Sequence, residues 1–167
     1  TPDTRFLYLS PQHEEAIGTL LYGIRERRGF VILTGEVGTG KTTSIRALLN
    51  RIHEQNQKGE EKVETALIIN PLLSVVEIIQ AINKDFGCEK AERESVQAEL
   101  EVLNNFLLEN DRQGRNAAVI IDEAQDLSSE SLEMLRLLSN LETESHKLLQ
   151  LILVGQPELE KKLCTPE

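Results

Sequence analysis

The run Phe30-Val31-Ile32-Leu33-Thr34-Gly35-Glu36-Val37-Gly38-Thr39-Gly40-Lys41-Thr42-Thr43 decides how this chain is read. Its first five residues are uniformly apolar or β-branched, the pattern of a short strand buried on both faces. Gly35 to Thr42 then fit Gly-x-x-x-x-Gly-Lys-Thr without a gap, between that strand and a helical pattern. The chemistry needs these residue types. Glycines let backbone N–H groups turn inward around an anion, and the helix N-terminus adds positive dipole. Lys41 can reach the β- and γ-phosphates of a nucleotide, and the Thr42 hydroxyl can ligate Mg²⁺. The plain alternative, a glycine-rich turn before a helix, accounts for neither the lysine nor its place.

A second element stands downstream. Val119-Ile120-Ile121-Asp122-Glu123 is an apolar strand ending in paired carboxylates. Asp122 is suited to hold Mg²⁺ through water, and Glu123 to orient and deprotonate an attacking water. Alone, such a pair is often only a solvated strand end; after a phosphate loop it reads as function. A further strand, Val63 to Asn70, falls between the two motifs in sequence. It suggests that a strand also separates them in the sheet, leaving Glu123 facing the γ-phosphate. Hydrolysis is favoured over phosphoryl transfer to a metabolite.

Outward from these motifs the pattern alternates. Helical stripes fall at Gln12–Arg28, Thr42–His53, Ser74–Phe86, Ser95–Asn110 and Ser129–Leu141, and Pro157 opens a short last helix. Strands fall at Phe30–Thr34, Val63–Asn70, Ala117–Asp122 and Leu148–Val154, with a solvated loop at Glu54–Lys62. Such alternation predicts a parallel sheet covered on both faces, a three-layer α/β/α fold in one domain over 1–167.

Composition bounds the partners. The 167 residues carry 18 basic and 28 acidic side chains, a net charge of −10. That balance disfavours nucleic-acid binding, and with four Phe, two Tyr and no Trp no stacking platform is visible. No apolar run approaches the roughly 20 residues that span a bilayer. Cys88 and Cys164 form no CxxC pair, which points to a reducing compartment and away from zinc. His13, His53 and His146 lack metal-ligand spacing. The opening at Thr1 reads as a piece of a longer protein.

At the level of whole motifs the chain resembles the AAA+ ATPases of the general secretion pathway protein A type. These are similar in turn to ATPases of pilus and exopolysaccharide clusters and to transposition ATP-binding proteins. The resemblance is carried by Leu33–Thr43, by Ile121-Asp122-Glu123-Ala124-Gln125-Asp126-Leu127-Ser128, by Leu135–Glu142, by Ile152–Leu159 and by the opening Phe6–Ala16. It implies a P-loop NTPase core binding Mg-ATP through Gly35, Glu36, Val37, Gly38, Thr39, Gly40, Lys41, Thr42 and Thr43, with Thr42 and Asp122 at the metal. It also implies cytoplasmic action at the inner membrane, self-association into a ring or other oligomer, and secretion or envelope-assembly proteins as partners.

Three further positions follow from the resemblance. Asn70 stands where many AAA+ proteins keep a residue that holds the catalytic glutamate inactive; a strand-end cap against Pro71 is the alternative. Gln156 matches the residue that senses the γ-phosphate, against an ordinary loop amide. Leu9–His13 resembles the stretch that packs on adenine, without the arginine that origin-recognition relatives carry there. A fifth strand and a helical lid would follow Glu167. Without that strand, Phe30–Thr34 becomes a sheet edge, expected to be covered by Thr1–Leu9 or by a neighbouring molecule. Arg136 fits either a role in trans or a solvated helix face. The rival function is an ATP-dependent switch of the transposition type, binding a partner protein or DNA. A helicase reading of Asp122-Glu123-Ala124-Gln125 fails because a second motor domain is absent.

Overall fold

The computed structural model describes residues 14–35 and 40–164. Strands β1 (Phe30–Thr34), β2 (Val63–Ile68), β3 (Asn116–Ile121) and β4 (Gln150–Gly155) form one parallel sheet in the order β1-β4-β3-β2. Helices α1 (Glu14–Arg25), α2 (Lys41–Gln57), α3 (Val75–Asp85), α4 (Val96–Arg112), α5 (Ser129–Ser139) and α6 (Glu158–Cys164) accompany it, with a 3₁₀ turn at Ala124–Asp126 after β3.

Alternation of side chains along each strand divides the core in two. Phe30 and Ile32 of β1, Val119 and Ile121 of β3, and Leu151 and Leu153 of β4 pack with Ile78, Ile79 and Ile82 of α3, Leu103 and Leu107 of α4, and Leu135 of α5. Val31, Leu33, Ala118, Ile120, Ile152 and Val154 point the other way, onto Leu20 and Ile24 of α1 and Ile45, Leu48 and Ile52 of α2. Both faces of the sheet are therefore apolar, which explains the unbroken hydrophobic runs. Fully burying one such side chain contributes about 1.5–3 kcal/mol. The three-layer α/β/α expectation holds.

The strand separating the two motifs is β4; β2 lies at the far edge. A strand does separate the phosphate loop from the Asp-Glu pair, but it is the last in sequence. β2 also stops at Ile68, short of the expected Asn70. Its partner β3 ends opposite at Ile121, the Asp122 N–H to Ile68 carbonyl bond (2.9 Å) closes the ladder, and Pro71 has no N–H to extend it. The outer edge of β2 is blunted by side chains. Asn56 accepts from the Val63 N–H (2.9 Å) and donates to the Val63 carbonyl (3.1 Å), while Asp85 accepts from the Leu67 N–H (2.7 Å). At the opposite edge β1 has no strand beyond it among the described residues, although Phe30 to Leu33 are buried. The proposed cover, Thr1–Leu9, lies outside the described residues.

Of the other boundaries that differ from the sequence reading, two have identifiable reasons. The expected loop from Glu54 is instead the last turn of α2, held by Asn56 at β2 and by Gln55, which accepts from both Arg25 side-chain N–H groups. β3 starts one residue early, at Asn116, a fully buried amide. Its Nδ2 donates to the Ile24 carbonyl (3.0 Å), and its Oδ1 accepts from the Ala117 N–H (2.8 Å) and from Gln150 Nε2 (3.2 Å). Gln150 Oε1 in turn accepts from the Gly29 N–H (2.9 Å). This buried amide cluster ties α1, β1, β3 and β4 together at the amino ends of the strands.

Candidate nucleotide site

The site forms at the opposite, carboxyl ends of β1, β4 and β3. The Gly35 N–H donates to the Gly155 carbonyl (3.1 Å), carrying the β1–β4 ladder one residue into the loop. Glu36, Val37, Gly38 and Thr39 lie outside the described residues. Gly40 re-enters with φ 86°, a left-handed conformation that suits glycine, and α2 begins at Lys41. The N-termini of α3, α4 and α5 are capped by Ser74, Ser95 and Ser128. At α2 the N-cap is Gly40, so the capping residue itself supplies no side chain, and no acid stands in the first turn of the helix. Such a helix end is suited to an anion. Thr42 and Thr43 are exposed there, while the Lys41 side chain is buried and its Nζ donates to the Gly35 carbonyl (2.6 Å).

Asp122 and Glu123 follow β3. Asp122 is 6% exposed, and its Oδ1 accepts from the Glu123 N–H (2.8 Å). Burial pushes its carboxyl above the usual range; the backbone bond pulls it down, the Glu123 charge pushes it up, and the Lys41 ammonium pulls it down. A buried carboxylate with a raised pKa, beside a helix N-terminus and a lysine, fits a cation bridging to a polyanion.

Glu123 adopts φ 53°, ψ 41°. For a non-glycine residue this left-handed geometry costs on the order of 1–3 kcal/mol. It turns the chain sharply out of β3, so that the residues after Glu123 fold back as the 3₁₀ turn. Glu123 Oε1 accepts from Gln125 Nε2 (2.8 Å), and Gln125 Oε1 accepts from the Gln156 N–H (3.0 Å). Lys162 of α6 donates to the carbonyls of Gln125 (2.6 Å) and Leu127 (2.7 Å), clamping the turn from behind.

The fold thus gathers Gly35, Gly40, Lys41, Thr42, Thr43, Asp122, Glu123 and Gln156 at one end of the sheet. Asn70 is exposed in the loop after β2, where its Oδ1 accepts from the Leu72 N–H at 3.5 Å, the arrangement of a local cap. Gln125 was not singled out from sequence as a site residue. Its only sequence signal is a second polar residue placed just beyond Glu123. Among the described residues no group of three His, Cys, Asp or Glu side chains able to hold a metal ion occurs, and His13 lies outside them.

A phosphate loop on the first strand and an acidic pair two strands away define a class, the AAA-type ATPase domain. The chain belongs to the AAA domain family, whose model matches residues 24–163. It is 41% identical over 166 residues to General secretion pathway protein A of Aeromonas hydrophila, covering 99% of this chain and 29% of that protein. Among solved structures it is similar to the ADP form of the Aeropyrum pernix ORC2 protein, with a TM-score of 0.65, 19% identity, and coverage of 93% of this chain and 44% of that one. It is also similar to Drosophila ORC bound to DNA, with a TM-score of 0.69, 15% identity, and coverage of 94% and 42%. At those identities the likeness is one of fold. The chain spans less than a third of the curated relative and less than half of either solved chain.

Proposed function

We propose that this domain binds Mg-ATP at the carboxyl ends of β1, β4 and β3 and hydrolyses its γ-phosphate. The observation that carries the reading is the joint placement of the α2 N-terminus with Lys41 and, across β4, of Asp122 and Glu123. In this reading the backbone of Gly35–Thr42 cradles the phosphates, and the Lys41 ammonium leaves the Gly35 carbonyl for their β- and γ-oxygens. Thr42 and Asp122 would hold Mg²⁺, which supplies charge neutralisation on the phosphates. Glu123 orients and deprotonates the attacking water, and Gln156 reports on the γ-phosphate. For Asn70 the local cap is the reading its geometry supports.

The name of the curated relative supports the biological setting. We place this ATPase in the energising of a secretion or envelope-assembly complex, cytoplasmic at the inner membrane and self-associating in a longer protein. No described helix is long and apolar enough to cross a membrane.

Lys41→Ala tests the site directly. It removes the charge that offsets the phosphates in a cradle otherwise built of neutral donors. Calorimetry with Mg-ATP should show binding lost; affinity like that of the unaltered protein would end the assignment.

A further inference from the structure

We propose that Gln125 is a positioning residue that links the end of β4, where Gln156 stands, to the carboxylate of Glu123. The inference rests on the hydrolytic reading of the site and adds to it a residue that acts through another.

The geometry allows little else for this side chain. Gln125 is 8% exposed, and both ends of its amide are used, Nε2 toward Glu123 and Oε1 toward the Gln156 N–H. A single amide with a donor at one end and an acceptor at the other is required. A glutamate could accept from Gln156 but has no hydrogen for Glu123, and an asparagine is one methylene too short to span both. The surroundings are shaped to keep the bridge in place. A Cβ on Gly155 would stand 2.7 Å from Gln125 Oε1, so glycine at the end of β4 makes room for the amide. Lys162 fixes the backbone carbonyls on either side of the turn, leaving the side chain as the part able to follow β4.

Two consequences follow for Glu123. One oxygen, Oε1, is occupied by the amide, which leaves Oε2 to meet water and limits the rotamers of a side chain already aimed by a left-handed backbone. Any shift of the Gln156 backbone, such as one made when its side chain engages a phosphate, passes through one amide to the carboxylate. The hydrogen bond on the Glu123 carboxylate comes from Gln125 in its own turn, and Gln125 is bonded in turn to the Gln156 N–H just past β4. Among the described residues none comes from the loop after β2, where Asn70 Oδ1 accepts from the Leu72 N–H.

The test compares Gln125→Glu with the unaltered full-length protein. The substitution keeps the acceptor for Gln156, removes the donor to Glu123 and sets two carboxylates side by side. Turnover of Mg-ATP should fall roughly 10- to 100-fold, the scale of a misplaced reacting group, while the Kd for Mg-ATP stays within about threefold. The thermal midpoint of the nucleotide-free protein should drop. It should recover when Glu123→Gln is added, because the exchanged pair restores one donor and one acceptor. Should Gln125→Glu fail to fold, Gln125→Met fills the same volume with neither group and should show the same division between turnover and affinity. Unchanged or raised turnover, an equal loss of affinity, or no recovery in the exchanged pair would overturn the inference. Failure of the unaltered protein to bind Mg-ATP would overturn the functional reading instead.

Discussion

Asp122 is the residue at which the fold works against its own stability. Its carboxyl pKa is raised in the folded state, chiefly by burial, so the native protein binds that proton more tightly than the unfolded chain does. The sign follows from linkage. Ionisation of Asp122 costs stability above the raised folded value, and the cost disappears as pH falls below the unfolded carboxylate value of about 3.9. Asp122→Asn keeps the Oδ1 acceptor for the Glu123 N–H and removes the charge. In the nucleotide-free, chelator-treated protein it should raise the unfolding midpoint at neutral pH. That gain should shrink as pH is lowered through the carboxylate range, and it should come with weakened Mg-ATP binding. Thermal melts across pH check the first part and calorimetry the second. Residue by residue, the gathering at one end of the sheet was legible where a motif fixes both type and spacing, as with Lys41, Thr42, Asp122 and Glu123. Gln125 was not, because its contact with Gln156 exists only once β4 has come to lie beside β3. A 3₁₀ turn also carries no periodic signal that would mark its inward-facing position.

At the scale of elements, boundaries are set by specific groups more than by propensity. α3 begins where Ser74 and Glu77 form a reciprocal capping box, with Ser74 N–H to Glu77 Oε1 at 2.9 Å and Glu77 N–H to Ser74 Oγ at 3.2 Å. Ser74→Ala should cost about 1 kcal/mol in denaturant-induced unfolding, with no change in nucleotide affinity, since α3 packs away from the site. The strands were readable because both faces of the sheet are covered and their apolar runs stop at Gly35, Pro71 or Asp122. The last turn of α2 was not. Its residues are polar, and what holds them helical is a set of long-range bonds from Gln55 and Asn56 to Arg25 and Val63. Likewise, chain order alone did not reveal that β4, and not β2, inserts between the two motifs.

At the scale of the whole molecule, the described residues hold the parts proposed for gripping a nucleotide more completely than those proposed for spending it. In P-loop proteins the charge of the transition state is commonly met by an arginine, often from a neighbour, worth roughly 10³–10⁵ in rate. Arg136, in the last turn of α5, is half-buried with no described contact to Asp122, Glu123 or Lys41. This chain alone should therefore bind Mg-ATP yet release phosphate only slowly in a single-turnover assay; brisk hydrolysis would show that the stabilising charge is already present. The buried amides Asn116 and Gln150 add a different consequence, one of stiffness along the strands. They pin β1, β3 and β4 at the end remote from the candidate nucleotide site, as a rivet pins the sticks of a fan, which leaves the free tips the easier place to open. Hydrogen–deuterium exchange should accordingly be slowest around Gly29–Val31, Asn116–Ala118 and Gln150–Ile152 and fastest around Glu123–Leu127 and Gln156. Addition of Mg-ATP should slow exchange at the tips and leave the riveted end as it was.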